Sequence, residues 1–382
     1  MLQNKYIMKE SVRTHIAWID LLRIIACFFV VCSHCSDPFL VSSERSDFVG
    51  GWIVGSVVRC SVPLFVMMSG ALLLPTSLGL GAFYTKRIRR LAVPLIFWSI
   101  VLPFLFYLYM NVAGGSAFPL LDSSAYTLES ACRKAFTFFL NFNYDTTPLW
   151  YLYMLIGLYF IIPILSTWIK NAPRIEVKNV LILWGITLFL PYIELAAKEL
   201  GFIGYPGNSQ LLGMCEWNIF GTFYYVSGFV GYLLLGYYWK TYPPQWNWTK
   251  TLCICIPAWA TGWVITYFSL DMLVAYLPQH ISFAWHFAIA HVFLLTLPVY
   301  IVVQKINIKP SRILAKVAST TLGIYLCHFI FIHIGYDMFQ EILPSSTPSV
   351  IHVLLNSICT FVVCYLLVSV LMQFKLTRKL VE

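Results

Sequence analysis

The sequence predicts an all-α integral membrane protein of about ten transmembrane helices, and three observations carry that prediction. Hydrophobic residues make up 59% of the chain and charged residues 11%, against about 25% charged in soluble domains. Apolar runs close to the roughly 20 residues that a bilayer-crossing helix needs recur along the whole length. Lys and Arg are sorted between alternate loops, which is how membrane proteins set their orientation.

The runs fall at 16–36, 51–75, 91–113, 148–168, 178–197, 218–239, 251–270, 282–303, 319–339 and 349–372. Of the 25 Lys and Arg, 19 lie in segments on one side of this pattern, beginning with Lys5, Lys9 and Arg13. Only Arg45, Arg133, Lys134 and Lys198 lie in loops on the other side, while Arg23 and Arg59 sit within spans. Both termini are therefore expected in the cytoplasm. The outer stretches 114–147 and 198–217 are shorter than the roughly 40 residues that fold unaided. Residues 1–382 are read as one transmembrane domain with no separate soluble domain.

The first run is the unusual one, because it carries Asp20, Arg23 and His34 within an otherwise apolar helix. At about 100° per residue the step from Arg23 to His34 returns to the same face with a rise of roughly 16 Å, and Asp20 shares that face. Ionisable side chains at membrane depth cost several kcal/mol, so such a stripe turns toward protein or a wet cavity. It reads as one wall of an active site. The run has no small-residue cleavage pattern, and is taken as a retained span rather than a signal peptide.

In the second run Arg59 is a costly intramembrane cation, expected to be functional or paired with a carboxylate. Pro63 interrupts the helix ladder, and Ser69 and Gly70 permit close helix approach. Ahead of the third run, Lys86, Arg87, Arg89 and Arg90 cluster. Arg87 and Arg90, three apart, share a side and suit a phosphate. In the ninth run Thr321, Tyr325 and His328 follow at i, i+4 and i+7, placing a hydroxyl and an imidazole on one face. His333 lies about 140° around from His328, so those two do not form a dyad on one helix.

The net charge of +9 is spread through short loops, which excludes a nucleic-acid partner. The eleven cysteines lie mostly in apolar runs and read as core residues. Cys32-Ser-His-Cys35 lacks the second ligand pair of a closed zinc site, so no metal is expected.

Together these residues resemble the acyltransferase family 3 membrane proteins. The likeness rests on D-x-x-R-x10-H in the first helix (Asp20, Arg23, His34), V-P-L-F-V-M-M-S-G in the second, R-x-x-R entering the third (Arg87, Arg90) and Ser319, Tyr325 and His328 in the ninth. The aromatic run from Tyr224 to Tyr238 looks like the family's sixth span. Val62-Pro63 replaces the valine-aspartate of many members and looks like the branch of enterobacterial common antigen O-acetyltransferases. The fused extracytoplasmic esterase-like domain of some members is not seen, which implies that the membrane core does both halves of the transfer.

The resemblance implies a multi-pass enzyme of the bacterial inner membrane. It would move an acetyl group from cytoplasmic acetyl-CoA to a hydroxyl of an extracytoplasmic sugar or glycolipid. On that reading Lys86, Arg87 and Arg90 hold the coenzyme's phosphates, and Arg23 with Asp20 lines the channel or holds coenzyme. His34 acts as base or acyl carrier, roles an imidazole can fill at neutral pH. Arg59, Ser69, Tyr325 and His328 serve the acceptor or the oxyanion. Acetyl-CoA is the only co-substrate implied, and a homo-oligomer is open to such a protein. The rival expectation is a secondary transporter or glycan flippase that uses the same charges as a proton relay.

Overall fold

The computed structural model describes residues 16–42, 44–140, 142–203, 210–215, 218–219, 221–277 and 283–382. Lys5, Lys9 and Arg13 lie outside them. Among the described residues there is no strand beyond a single bridge between Cys215 and Asn218, and nine helical segments are long and apolar enough to cross a membrane. The protein is an all-α integral membrane protein.

The central helix is α1 (Ala17–Ser36), whose buried face runs through Ile19, Asp20, Ala26, Val30 and Cys35. It packs on α12 (Arg312–Ile342), α13 (Ser349–Leu371) and α3 (Ser61–Leu73). The second span reaches back to Arg45, farther than its apolar run suggests. It consists of α2 (Arg45–Val57), a 3-10 turn at Val58–Cys60 and α3. Arg59 sits in that turn. Pro63 does not break the ladder. It stands in the first turn of α3, where its missing N–H has no intrahelical partner to lose.

The third span, α4 (Leu80–Ala113), has 34 residues and rises about 50 Å, longer than the hydrocarbon core, so its basic residues lie within its first turns. After it come the short α5 (Leu128–Phe136) and α6 (Trp150–Ile169). The fifth span is kinked into α7 (Arg174–Thr187) and α8 (Leu190–Glu199). Both long helices α10 (Trp248–Tyr276) and α11 (Ala290–Lys305) pack closely together.

The run 218–239, expected as the sixth of ten spanning helices, departs from that expectation. Among its described residues the run holds a 3-10 turn at Gly221–Phe223 and one α-helix, α9 (Phe229–Thr241), whose 13 residues rise about 20 Å, short of the roughly 30 Å core. Glycines cause the break: Gly221 has φ +51° and Gly228 φ +74° with ψ −150°, conformations L side chains rarely adopt. Irregular backbone survives at membrane depth only where protein satisfies its polar groups. Here the Trp184 indole donates to Gly228 O at 2.9 Å, and the Thr222 N–H donates to Leu212 O at 3.1 Å. A Cβ on Gly70 would lie 1.8 Å from Leu233 O, and one on Gly236 1.9 Å from Met67 O, so α3 and α9 touch backbone to backbone.

The bundle has two chemically distinct ends. At the basic end Lys240 Nζ donates to Ala71 O at 2.6 Å, Arg174 Nε donates to the Tyr238 hydroxyl at 3.2 Å, and the Trp98 indole reaches Leu380 O at 2.9 Å. His34 is at the other end, the histidine end. There the segment from Gly114 to Leu149 is pinned onto the bundle. Asp337 accepts the Tyr109 hydroxyl and, at 2.9 Å, the Ala117 N–H. The fully buried Asp145 accepts from Lys134 Nζ at 2.7 Å and from the Tyr126 hydroxyl at 3.0 Å. Lys134 next to the ring of Tyr126, with Asp145 beside both, closes a buried ion pair under this cap.

Candidate active site

The polar stripe of α1 is real, and it is divided between the two ends. Asp20 is buried, and its Oδ1 lies 3.6 Å from Arg23 Nη1 one turn on. Near the far end, the chain leaves α1 through Asp37 in a helical conformation (φ −53°, ψ −42°) and continues as the 3-10 turn Asp37–Val41, which Pro38 starts. Because the backbone stays helical to Asp37, that carboxylate falls one turn beyond His34. Oδ2 of Asp37 lies 2.9 Å from His34 Nδ1. A carboxylate only accepts, so the proton of a neutral His34 is assigned to Nδ1, and Nε2 keeps a free lone pair. Both side chains stay partly accessible, at 18% and 27%.

The ring of His328 comes within 5.5 Å of the His34 ring, and Phe329 within 5.4 Å. His328 is fully buried, its Nδ1 is 2.7 Å from Tyr325 O, and its Nε2 has no hydrogen-bond partner among the described residues. The carbonyl assigns the His328 proton to Nδ1 as well, so two unprotonated ring nitrogens belong to neighbouring imidazoles. His333 does stand apart from this pair. Its Nε2 is 3.1 Å from the Tyr144 hydroxyl, and Phe118 of the cap lies 4.1 Å from its ring.

From His328 a line of rings runs toward the basic end. Tyr325 is 5.7 Å from His328, Tyr151 is 5.5 Å from Tyr325, and Phe65 leans on both tyrosines. The Tyr325 hydroxyl donates to Pro148 O. Ser69 lies near both Tyr151 and Tyr159, and its own hydroxyl donates to Phe65 O at 3.0 Å. Tyr159 is within electrostatic reach of Arg23, Arg87 and Arg90, and Tyr151 of Arg23. Arg87, Arg90, Arg23, Ser69, Tyr325, His328 and His34 therefore belong to one connected track.

The basic cluster splits by helix face. Lys86 and Arg89 are exposed, whereas Arg87 and Arg90 are half-buried. Lys86, expected to hold the coenzyme's phosphates with Arg87 and Arg90, stands on a different side of the helix, because one residue turns it about 100° away from Arg87. Arg87 Nε is buried without a partner, and Arg90 Nε donates to Glu382 O at 2.8 Å. Arg59, expected to be functional or paired, has found aromatic faces. Its guanidinium lies 3.9 Å from the Trp285 ring centroid and 5.7 Å from that of Trp52, and Nε has no hydrogen-bond partner. Asp37 is the carboxylate within its electrostatic reach.

Asp37, Tyr144, Tyr151 and Tyr159 were not singled out from the sequence. The first had a signal in H-x-x-D, one helical turn, but Asp37-Pro38 reads as a loop opening. The tyrosines had none, since their partners lie on other helices.

The profile of the acyltransferase domain family 3 matches residues 16–369, nearly the whole chain. The chain belongs to that family. As an acyltransferase of family 3 it is a membrane-embedded transferase, which sets aside the transporter reading of its intramembrane charges. No curated protein and no solved structure matches it.

Proposed function

We propose that this acyltransferase is an O-acetyltransferase of the bacterial inner membrane. It would take acetyl groups from cytoplasmic acetyl-CoA at the basic end and deliver them to a hydroxyl of an extracytoplasmic or lipid-linked glycan at the histidine end. The observation that carries this reading is the His34–Asp37 pair, 2.9 Å apart, standing at the end of a polar track that begins at Arg87.

Arg87 fits an anionic donor, since its Nε is buried and unpartnered in a half-accessible side chain beside Tyr159. Arg90 adds a second cation on the same face. The donor's phosphates dock on Arg87 and Arg90, and its pantetheine arm carries the acetyl thioester along the track to His34. Asp37 holds the Nδ1 proton of His34, so the Nε2 lone pair takes the proton of the acceptor hydroxyl as its oxygen forms the new ester bond. The imidazolium so formed is stabilised by the Asp37 carboxylate, and returns the proton to sulfur as the thioester C–S bond breaks. His328 Nε2, also an acceptor, takes a hydrogen bond from a second hydroxyl of the same sugar. Tyr325 spends its hydroxyl proton on Pro148 O, which leaves Arg59 as the fixed cation for the oxyanion.

The test is transfer of radiolabel from [acetyl]-CoA to purified glycan fractions by the protein in proteoliposomes, run beside longer acyl-CoA donors. Label in an alkali-labile ester on glycan supports the reading. Label that stays on CoA with every glycan fraction, or that moves only from longer acyl donors, contradicts it.

A further inference from the structure

A second large feature lies away from the histidine track. Between α7–α8 and α10–α11, with α9 as its back wall, runs a groove of about 1780 Å³, well above the roughly 300–1,000 Å³ of ordinary small-molecule pockets. Its walls are apolar, and Ile182, Ile186 and Phe189 on its rim are exposed at membrane depth. Toward the far end Ala290 N–H donates to Leu188 O at 3.2 Å, and the Tyr192 hydroxyl and His291 Nδ1 pair with each other at 2.6 Å. From Arg174 to Leu188 the helix rises about 21 Å, more than the roughly 15 Å of one leaflet's hydrocarbon.

The basic end of the groove is built differently. Arg174 and Lys178, one turn apart on α7, both line it. The Arg174 guanidinium is held over the rings of Tyr242 and Tyr238, at 5.0 and 5.7 Å, and its Nε donates to the Tyr238 hydroxyl. Among the described residues neither cation has a carboxylate partner. Glu176 lies about 200° around the helix from each. Trp239 and Trp246 line the same end, the position amphipathic rings take at headgroup level.

We infer that this groove holds an anionic phospholipid of the bilayer, its phosphate between Arg174 and Lys178 and its chains along the apolar walls. Charge complementarity selects the occupant. Basic pockets between membrane helices recruit anionic headgroups, a zwitterionic lipid would bring its own ammonium up against the two cations, and a soluble phosphate compound would leave the apolar length unfilled. Gly185 lines the groove, and a Cβ there would meet nothing within 4 Å, so the space beside it is room for a chain.

The full chain is reconstituted with equal amounts of phosphatidylglycerol and phosphatidylcholine of the same chain length, and retained lipid is counted by native mass spectrometry. Two cations near an anionic headgroup give roughly a thirtyfold preference for phosphatidylglycerol. Lys178→Gln, at an exposed position, should cut that preference to about fivefold, and Arg174→Gln/Lys178→Gln should abolish it. Gly185→Leu fills the groove without touching charge and should expel the retained lipid. Equal retention of the two lipids by wild type, an unchanged preference in the double variant, or displacement of the lipid by inorganic phosphate would each overturn the inference.

Discussion

Asp37→Asn removes one charge from the pair that orients His34 and leaves the side chain's shape. In the transition state His34 becomes an imidazolium facing Asp37. With charge centres about 4 Å apart and an effective dielectric near 20, their attraction is about 4 kcal/mol, or roughly three powers of ten in rate. Both side chains are partly wet, at 18% and 27% exposure, so solvent and salt remove some of it. The expected fall in kcat is about 10²- to 10³-fold, within the range of general acid–base catalysis. KM for acetyl-CoA should hardly move, because the donor site is at the opposite end of α1. Asp37→Glu keeps the carboxylate on a longer arm and should recover part of the loss. The assay is initial-rate acetyl transfer in proteoliposomes, with each variant normalised to folded, inserted protein. Asp37→Asn working at a near-wild-type rate would refute the orienting role.

Three further outcomes follow from other parts of the molecule. Arg87→Ala should raise KM for acetyl-CoA about thirtyfold, the value of roughly 2 kcal/mol for a charged hydrogen bond, while Lys86→Ala, off that face, should leave KM unchanged. An unchanged KM for Arg87→Ala would leave the cluster with no role beyond setting the orientation of the helix. Lys134→Met leaves the fully buried Asp145 carboxylate without its cation. Breaking such a pair costs about 3–5 kcal/mol, less what solvent already screens at the partly exposed lysine, and Lys134→Met/Asp145→Asn should recover much of the lost thermal stability. Gly70→Ala forces a methyl to within 1.8 Å of Leu233 O, so thermal unfolding in detergent should show a loss of at least about 1–3 kcal/mol as α3 and α9 are pushed apart.

Hydropathy made nine of the spans legible, since a bilayer-crossing helix needs one continuous apolar length. It misread 218–239 because an apolar run around Gly221 and Gly228 looks the same whether helical or irregular, and it takes a neighbour such as Trp184 to satisfy the irregular form. The α1 stripe and the shared side of Arg87 and Arg90 were readable because both are local helical geometry. Contacts between distant segments were not. Nothing near Arg59 announces Trp285, and nothing near Tyr144 announces His333. Asp37 lay between these cases, one turn from His34 but past the end that Pro38 marks.

The most direct measurement is labelled acetyl transfer by His34→Ala protein that remains folded and inserted. Transfer to glycan should fall to background while acetyl-CoA binding at the basic end persists, since Arg87 and Arg90 are untouched. Near-wild-type transfer by His34→Ala would contradict the catalytic placement of the α1 stripe.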